Sequence, residues 1–319
     1  MKKFLSLFVK ILVSALIIFV ILKDIEFDKL VGYFKKFDYR YYWMAFFLQF
    51  VLFFFHFLKW KLLLIPLKIS IPLKSITMIC SKGLFFNLFL PTSIGGDVVR
   101  MYDANKLTGR WSPGIISIVF ERILGFFSIS FLGLCMVLFK NDLFSNNYWR
   151  MNLILFPLLL CIIIMLFFSR RFFVKICSLM VPKEFNSKID KMFELFELYR
   201  KNVKFVVFAT LSVMTAQIIN AFIIYLIFVG NHETTSLVKP GAIFYFIASL
   251  SMIYVISAMP VSFGGAGVRE GAFVIFYMSL GFPKEAVTAN ALIVALLLYS
   301  TSILGVVPFL LGYPKLHSE

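Results

Sequence analysis

Charge is scarce in this chain. Only 15% of its 319 residues are Asp, Glu, Lys or Arg, where soluble domains carry about 25%, and that shortage excludes an ordinary water-soluble globular domain. Histidine is scarcer still: His56, His232 and His317 share no helical face with a second ligand type, so no metal site is legible. The four cysteines, Cys80, Cys135, Cys161 and Cys177, are isolated in apolar surroundings without a CxxC pair, which argues against a disulfide framework or a zinc knuckle and for small buried hydrophobes. No GxSxG, HExxH, P-loop or DxD pattern is present. The chain is therefore expected to bind no cofactor and not to be an enzyme, because any catalysis would have to use intramembrane carboxylates. The alternating ten-residue segments of an outer-membrane barrel are also missing.

What the chain has in excess is apolar surface. Hydrophobic residues make up 61% of it, with 41 Phe and a mean hydropathy of +0.92. Several runs reach the roughly 20 residues that cross a hydrocarbon core as helix, so the fold class is an all-α polytopic membrane protein. The runs 4–22, 41–58, 115–139, 153–168, 203–229 and 286–311 predict about six full spans. Lys2 and Lys3 precede the first run as in a signal peptide, but Lys23-Asp24-Ile25-Glu26 follows in place of a cleavage site, so it reads as a retained span. Two shorter segments, 76–90 and 241–259, read as re-entrant helical hairpins, since irregular backbone at depth is tolerated only inside protein or beside a wet cavity. The alternative is that both cross completely, giving about eight full spans. Stretches 183–202 and 25–37 have helical apolar spacing with Lys and Arg elsewhere, suiting helices lying on an anionic leaflet.

The net charge of +16 is that of cytoplasmic loops rather than of a nucleic-acid binder. Placing the N-terminus inside puts Lys59, Lys61, Lys68 and Lys74 in the cytoplasm, then Arg100, Lys106 and Arg110, then nine basic residues from Arg170 to Lys204. Both termini are then cytoplasmic. The two hairpins enter from opposite sides, as inverted repeats do in secondary transporters. The whole chain, 1–319, is one integral membrane domain with repeat halves of approximately 41–140 and 203–311.

The repeat is visible as a motif. LPTSIGGDVVR at 90–100 returns as MPVSFGGAGVR at 259–269, so that Pro91, Ser93, Gly95, Gly96, Val99 and Arg100 match Pro260, Ser262, Gly264, Gly265, Val268 and Arg269. Paired glycines after a proline turn can expose backbone N–H groups at a helix start, an anion cradle, and arginine's planar fork suits a phosphate. The competing explanation is that the glycines let helices approach while the arginines reach for headgroups. Glu121 and Arg122 lie inside a span, where each charge costs about 2.5–3.5 kcal/mol, so Glu121 needs a partner among Arg100, Arg122 and Arg269. Asp97 and Glu270 complete the charged set, either as part of a ligand site or as a structural ion-pair network. Thr210, Gln217 and Asn220 share one face of the span 203–229.

The run GLFFNLFLPTSIGGDVVRMYDANKLTG, the in-span FERILG and MPVSFGGAGVREG resemble, in this order, the lysylphosphatidylglycerol synthase transmembrane family, also called flippase-like or UPF0104 membrane proteins. The resemblance covers nearly the whole chain. It implies residence in the cytoplasmic membrane of a prokaryote and movement of a lipid between leaflets. Carried over by motif, it implies functional positions at Pro91, Gly95, Gly96, Asp97 and Arg100, at Glu121 and Arg122, and at Pro260, Gly264, Gly265, Gly267, Arg269 and Glu270. With about eight residues after the last span there is no room for the family's synthase domain, so lysyl transfer is not expected.

The expected partner is thus a membrane lipid with an anionic headgroup, phospholipid or polyprenyl-linked, and no nucleic acid. The second expectation is a membrane subunit that recruits a separate lipid-modifying enzyme or glycosyltransferase through the basic stretch 170–204.

Overall fold

The computed structural model describes residues 12–20, 23, 25–88, 95–109, 111–140, 151, 153–161, 186–258 and 267–311. These residues are helical almost throughout, and their β-type contact is one isolated bridge between Phe37 and Asn231. In chain order the helices are α1 (12–20), α2 (Phe27–Lys35), α3 (Tyr39–Leu64), α4 (Leu73–Asn87), α5 (Gly95–Thr108) and α6 (Trp111–Phe139). Then come α7 (153–161), α8 (Asn186–Lys201), α9 (Val203–Gly230), α10 (His232–Thr235), α11 (Ile243–Ser257), α12 (Val268–Met278), α13 (Lys284–Ile303) and α14 (Val306–Leu311).

Among the described residues, four helices are long and apolar enough to cross a membrane: Tyr39–Leu64, Pro113–Phe139, Val203–Gly230 and Lys284–Ile303. The expected spans 4–22 and 153–168 fall partly outside the described residues, which show helix over 12–20 and 153–161. The expected run 286–311 is broken. Helix α13 stops at Ile303 and α14 restarts at Val306, because Gly305 is pressed so closely onto α4 that a Cβ there would lie 2.1 Å from the Ser81 carbonyl oxygen.

Helices α3 and α9 form the most extensive helix pair. Both are apolar on every side, so small and polar side chains rather than hydrophobicity mark the faces that meet. On α3 the buried stripe runs Ala45, Gln49, Leu52, Phe53 and Trp60, while Phe47 and Phe54 on the other side are exposed. On α9, Ala209, Val213 and Ala216 are fully buried at helical spacing, the small-residue contact that lets helices pack where water supplies no driving force. The ends of the pair are tied together. Asp38 N–H donates to the Gly230 carbonyl at 2.8 Å, and a side chain at Gly230 would lie 2.8 Å from Tyr41 Cβ. Asp38 also starts α3 by accepting the Arg40 N–H, and the Arg40 guanidinium holds its carboxyl below the usual carboxylate range.

Two runs of four helices share an order of lengths. α3, α4, α5 and α6 have 26, 15, 14 and 29 residues, and α9, α11, α12 and α13 have 28, 15, 11 and 20. Moved along by the 169-residue spacing of the motifs, α4 would run 242–256, against the observed Ile243–Ser257. In each set the two short helices pack on one another.

Helix α8 corrects one expectation. The described part of its apolar face packs inward: Phe193, Phe196 and Tyr199 are buried, with Phe196 edge-on to Phe120 of α6 and Tyr199 stacked on that ring at 4.3 Å. An aromatic partner on α6 removes that face from lipid, which the spacing of α8 alone could not reveal.

Candidate functional site: a buried ionic cluster and a second, more open arginine

Helix α5 opens on the first glycine patch, and the patch is a close crossing. A Cβ on Gly96 would lie 2.2 Å from the Gly83 carbonyl oxygen of α4, so no other residue fits without parting the helices. The Gly96 N–H is already used, donating to Asn87 Oδ1 at 2.6 Å. This crossing turns Asp97 and Arg100 towards α3 and α6, where five charges converge.

Glu121 sits at the centre. Its Oε1 lies 2.8 Å from Lys59 Nζ and its Oε2 2.5 Å from Arg100 Nη2. Arg100 Nη1 also reaches Asp97 Oδ1 at 3.1 Å, and the other Asp97 oxygen accepts from Arg122 Nε at 2.9 Å and from Arg122 Nη2. The guanidinium carbon of Arg100 stands 4.4 Å from the centre of the Trp60 ring, a cation–π contact, while Trp60 Nε1 donates to Ser117 Oγ at 3.1 Å. Side-chain exposure is 7% for Lys59, 7% for Asp97, 11% for Glu121 and 12% for Arg100. Buried charges persist at this depth only when paired and hydrogen-bonded. One further pair, Lys82 with Asp103 at 3.1 Å, ties α4 to α5.

The second copy is arranged differently. Arg269 Nε donates to Glu270 Oε1 at 2.9 Å, while Glu270 Oε2 accepts the Gly267 N–H at 2.7 Å and so caps α12. Gly267 has φ +82° and rests on α1, where a Cβ would meet the Ser14 carbonyl oxygen at 3.0 Å. The Arg269 side chain is 28% exposed. On the neighbouring helices, Tyr254 of α11 accepts from Asn220 Nδ2 of α9 at 2.9 Å.

Of the expected site residues, the structure gathers Asp97, Arg100, Glu121 and Arg122 into one cluster beside Gly95 and Gly96, and places Gly267, Arg269 and Glu270 in another. Pro91, Ser93, Pro260, Ser262, Gly264 and Gly265 lie outside the described residues. Glu121 finds Arg100, as its depth demanded. Its second partner corrects the sequence reading: Lys59 was assigned to a cytoplasmic loop, but α3 continues to Leu64 and carries Lys59 inward. Trp60, Lys82 and Asp103 were also missed. The usable signal was spacing, since His56, Lys59 and Trp60 share one helical face and His56 Nδ1 is 3.3 Å from Lys59 Nζ.

A family model described as the lysylphosphatidylglycerol synthase TM region matches residues 7–305. No curated protein and no solved structure matches the chain.

Proposed function

We propose, from the premise that this chain belongs to the lysylphosphatidylglycerol synthase TM region family, that it carries an anionic lipid between the leaflets of a prokaryotic cytoplasmic membrane. The family and the four long apolar helices make it a multi-pass membrane protein of lipid metabolism or transport. Transport itself is our reading. The observation that carries it is the set of charges held within helices of spanning length. Glu121 is four residues, about 6 Å, from the midpoint of α6, and an intramembrane ionisable group is by default a functional one.

The matched motifs and the matched order of helix lengths support two repeats of inverted topology. The α4–α5 and α11–α12 pairs are the re-entrant hairpins of this reading. Helices of 15, 14, 15 and 11 residues are about 22, 21, 22 and 16 Å long, each short of the roughly 30 Å hydrocarbon core. Rocking of one half against the other about the α3–α9 contact would alternate access, with both termini on the cytoplasmic side. An apolar cleft of about 260 Å³ between Phe53, Phe57, Ser81, Leu84, Thr301 and Gly305 offers a place for part of an acyl or prenyl chain while the headgroup travels through protein. The chain acts without a catalytic step in this reading.

The test is translocation by the purified full chain in proteoliposomes that contain labelled phosphatidylglycerol. Flip of the label faster than in protein-free vesicles is the expected result. A rate equal to that of empty vesicles, for phosphatidylglycerol and for a polyprenyl phosphate alike, overturns the proposal and favours the scaffold role for a separate lipid-modifying enzyme.

A further inference from the structure

The cleft of about 260 Å³ is lined without a single charged residue. Its first wall belongs to α3, where Phe50, Phe53, Phe54 and Phe57 follow one another at helical spacing. Thr77 and Ser81 of α4 form a second wall, and Thr301 and Gly305, at the break between α13 and α14, form a third. Phe50 and Phe54 are 41% and 44% exposed whereas Phe53 and Phe57 are buried, so the cleft has an aromatic floor and a mouth on the outside of the chain. Phe50 and Phe57 lie about 2 Å and 8 Å along the axis from the midpoint of α3. The mouth therefore opens sideways into hydrocarbon, not into water.

From Phe50 to Phe57 on one wall, as from Thr77 to Leu84 on the next, the cleft runs for two helical turns, about 10 Å. A helix, 10–12 Å across, would occupy roughly 800 Å³ over that length, so a partner's helix does not fit inside and a single hydrocarbon chain does. The polar wall says which kind of chain. Thr77 Oγ1 donates to the Lys74 carbonyl at 2.7 Å and Thr301 Oγ1 to the Leu297 carbonyl at 2.8 Å, so both hydrogens are spent on their own helices. The Ser81 hydroxyl has no hydrogen-bond partner among the described residues. It stands eight residues, about 12 Å, from the start of α4, at a depth where an unpaired hydroxyl is costly. One free donor in an otherwise apolar cleft is complementary to one acceptor on an otherwise apolar chain. The carbonyl of an ester-linked acyl chain is such an acceptor, and a prenyl chain has none along its length.

We propose that this cleft is the subsite for one ester-linked acyl chain of the lipid, with the Ser81 hydroxyl donating to the ester carbonyl and the α3 phenylalanines packing on the methylenes. The assignment rests on the transport reading for its choice of a membrane lipid as the ligand, and it narrows that reading to a glycerophospholipid with ester-linked chains over a polyprenyl-linked one. The surroundings fit an amphiphile. On the other face of α4, a Cβ at Gly83 would lie 3.0 Å from Arg100 Cγ, so the apolar cleft and the ionic cluster stand one helix apart. Gly305, pressed onto the Ser81 carbonyl oxygen, holds the third wall against the second.

The test places the full chain in nanodiscs of ether-linked phosphatidylcholine, which offers no ester carbonyl. Equal small amounts of two phosphatidylglycerols of the same chain length are added, one ester-linked and one ether-linked, and native mass spectrometry reads which stays bound. The wild type is expected to retain the ester form about tenfold over the ether form. Ser81→Ala is expected to bring the two to parity with the melting temperature kept. If the alanine variant fails to fold, Ser81→Cys, a weaker donor of similar size, decides, with a reduced preference expected. Parity in the wild type, a preference that survives removal of the hydroxyl, or stronger retention of a polyprenyl phosphate than of either phosphatidylglycerol overturns the subsite. Flip in proteoliposomes is read separately. Retention that is ester-selective through Ser81, without flip by the wild type, keeps the subsite and overturns transport; flip without ester selectivity overturns the subsite and keeps transport.

Discussion

Replacing Glu121 with glutamine removes one negative charge from between two cations and leaves the shape of the side chain almost intact. In the native chain Glu121 meets Lys59 at 2.8 Å and Arg100 at 2.5 Å. At an effective dielectric constant near 20, each such contact is worth about 6 kcal/mol before desolvation. Most of that attraction is offset by the cost of keeping the ions out of water, so the useful magnitude is the cost of breaking a buried pair, about 3–5 kcal/mol. Glu121→Gln should therefore lower the folded-to-unfolded ratio by roughly two to three and a half powers of ten. Lys59→Met should cost less, because Glu121 keeps Arg100 and no anion is stranded. In the double variant Lys59 no longer sits beside a missing carboxylate, so the combined loss should fall short of the sum by about 0.5–3 kcal/mol. Reversible unfolding in mixed detergent micelles, followed by tryptophan fluorescence, measures all three, with Trp60 reporting from beside Arg100. A Glu121→Gln protein within about 1 kcal/mol of wild type, or costs that add within the usual error for independent sites of about 0.5 kcal/mol, would show that these charges are hydrated rather than paired.

Gly96→Ala should destabilise by about 1–3 kcal/mol, as overpacking does, because its Cβ would lie 2.2 Å from the Gly83 carbonyl oxygen; the same unfolding assay reads it. Gly32→Ala, in the middle of α2 with nothing within 4 Å of its Cβ, should instead stabilise by about 0.5–1 kcal/mol, and a loss there would mean that α2 is not helical in the folded protein. Asp38 has its folded-state carboxyl held down by Arg40, so its contribution is present above the unfolded value near 3.9 and is lost as pH falls through the lower folded value. Asp38→Asn should accordingly be less stable than wild type at neutral pH, and the gap should close only in strong acid. A gap that does not change with pH would assign the effect to the Arg40 N–H cap alone.

Much of this was legible one residue at a time. The helical membrane class follows from hydropathy, and the long helices α3, α6, α9 and α13 fall where apolar runs predict them. Glu121 declared its need for a partner because a short carboxylate cannot reach water from inside a span, while the first glycine pair, read first as an anion cradle, is at Gly96 a close helix crossing. The errors came where a neighbour decides. Lys59 ends an apolar run and looks like a loop residue until Glu121, distant in sequence, is brought beside it. The α8 aromatics look like a lipid-facing stripe until Phe120 covers them. The run 286–311 looks continuous until Ser81 presses on Gly305.

By itself the sequence determined that this chain is helical, that it enters the membrane and that it carries one glycine–arginine motif in each half. The free energy of placing a side chain in hydrocarbon is nearly a sum over residues and can be read along a line. Only the tertiary structure decided that Arg100 meets Glu121 and Asp97 from another helix and its own while Arg269 pairs with its neighbour Glu270. The energy of a buried charge depends on the distance to its partner and on the water excluded around both, and these quantities exist only once the helices have crossed.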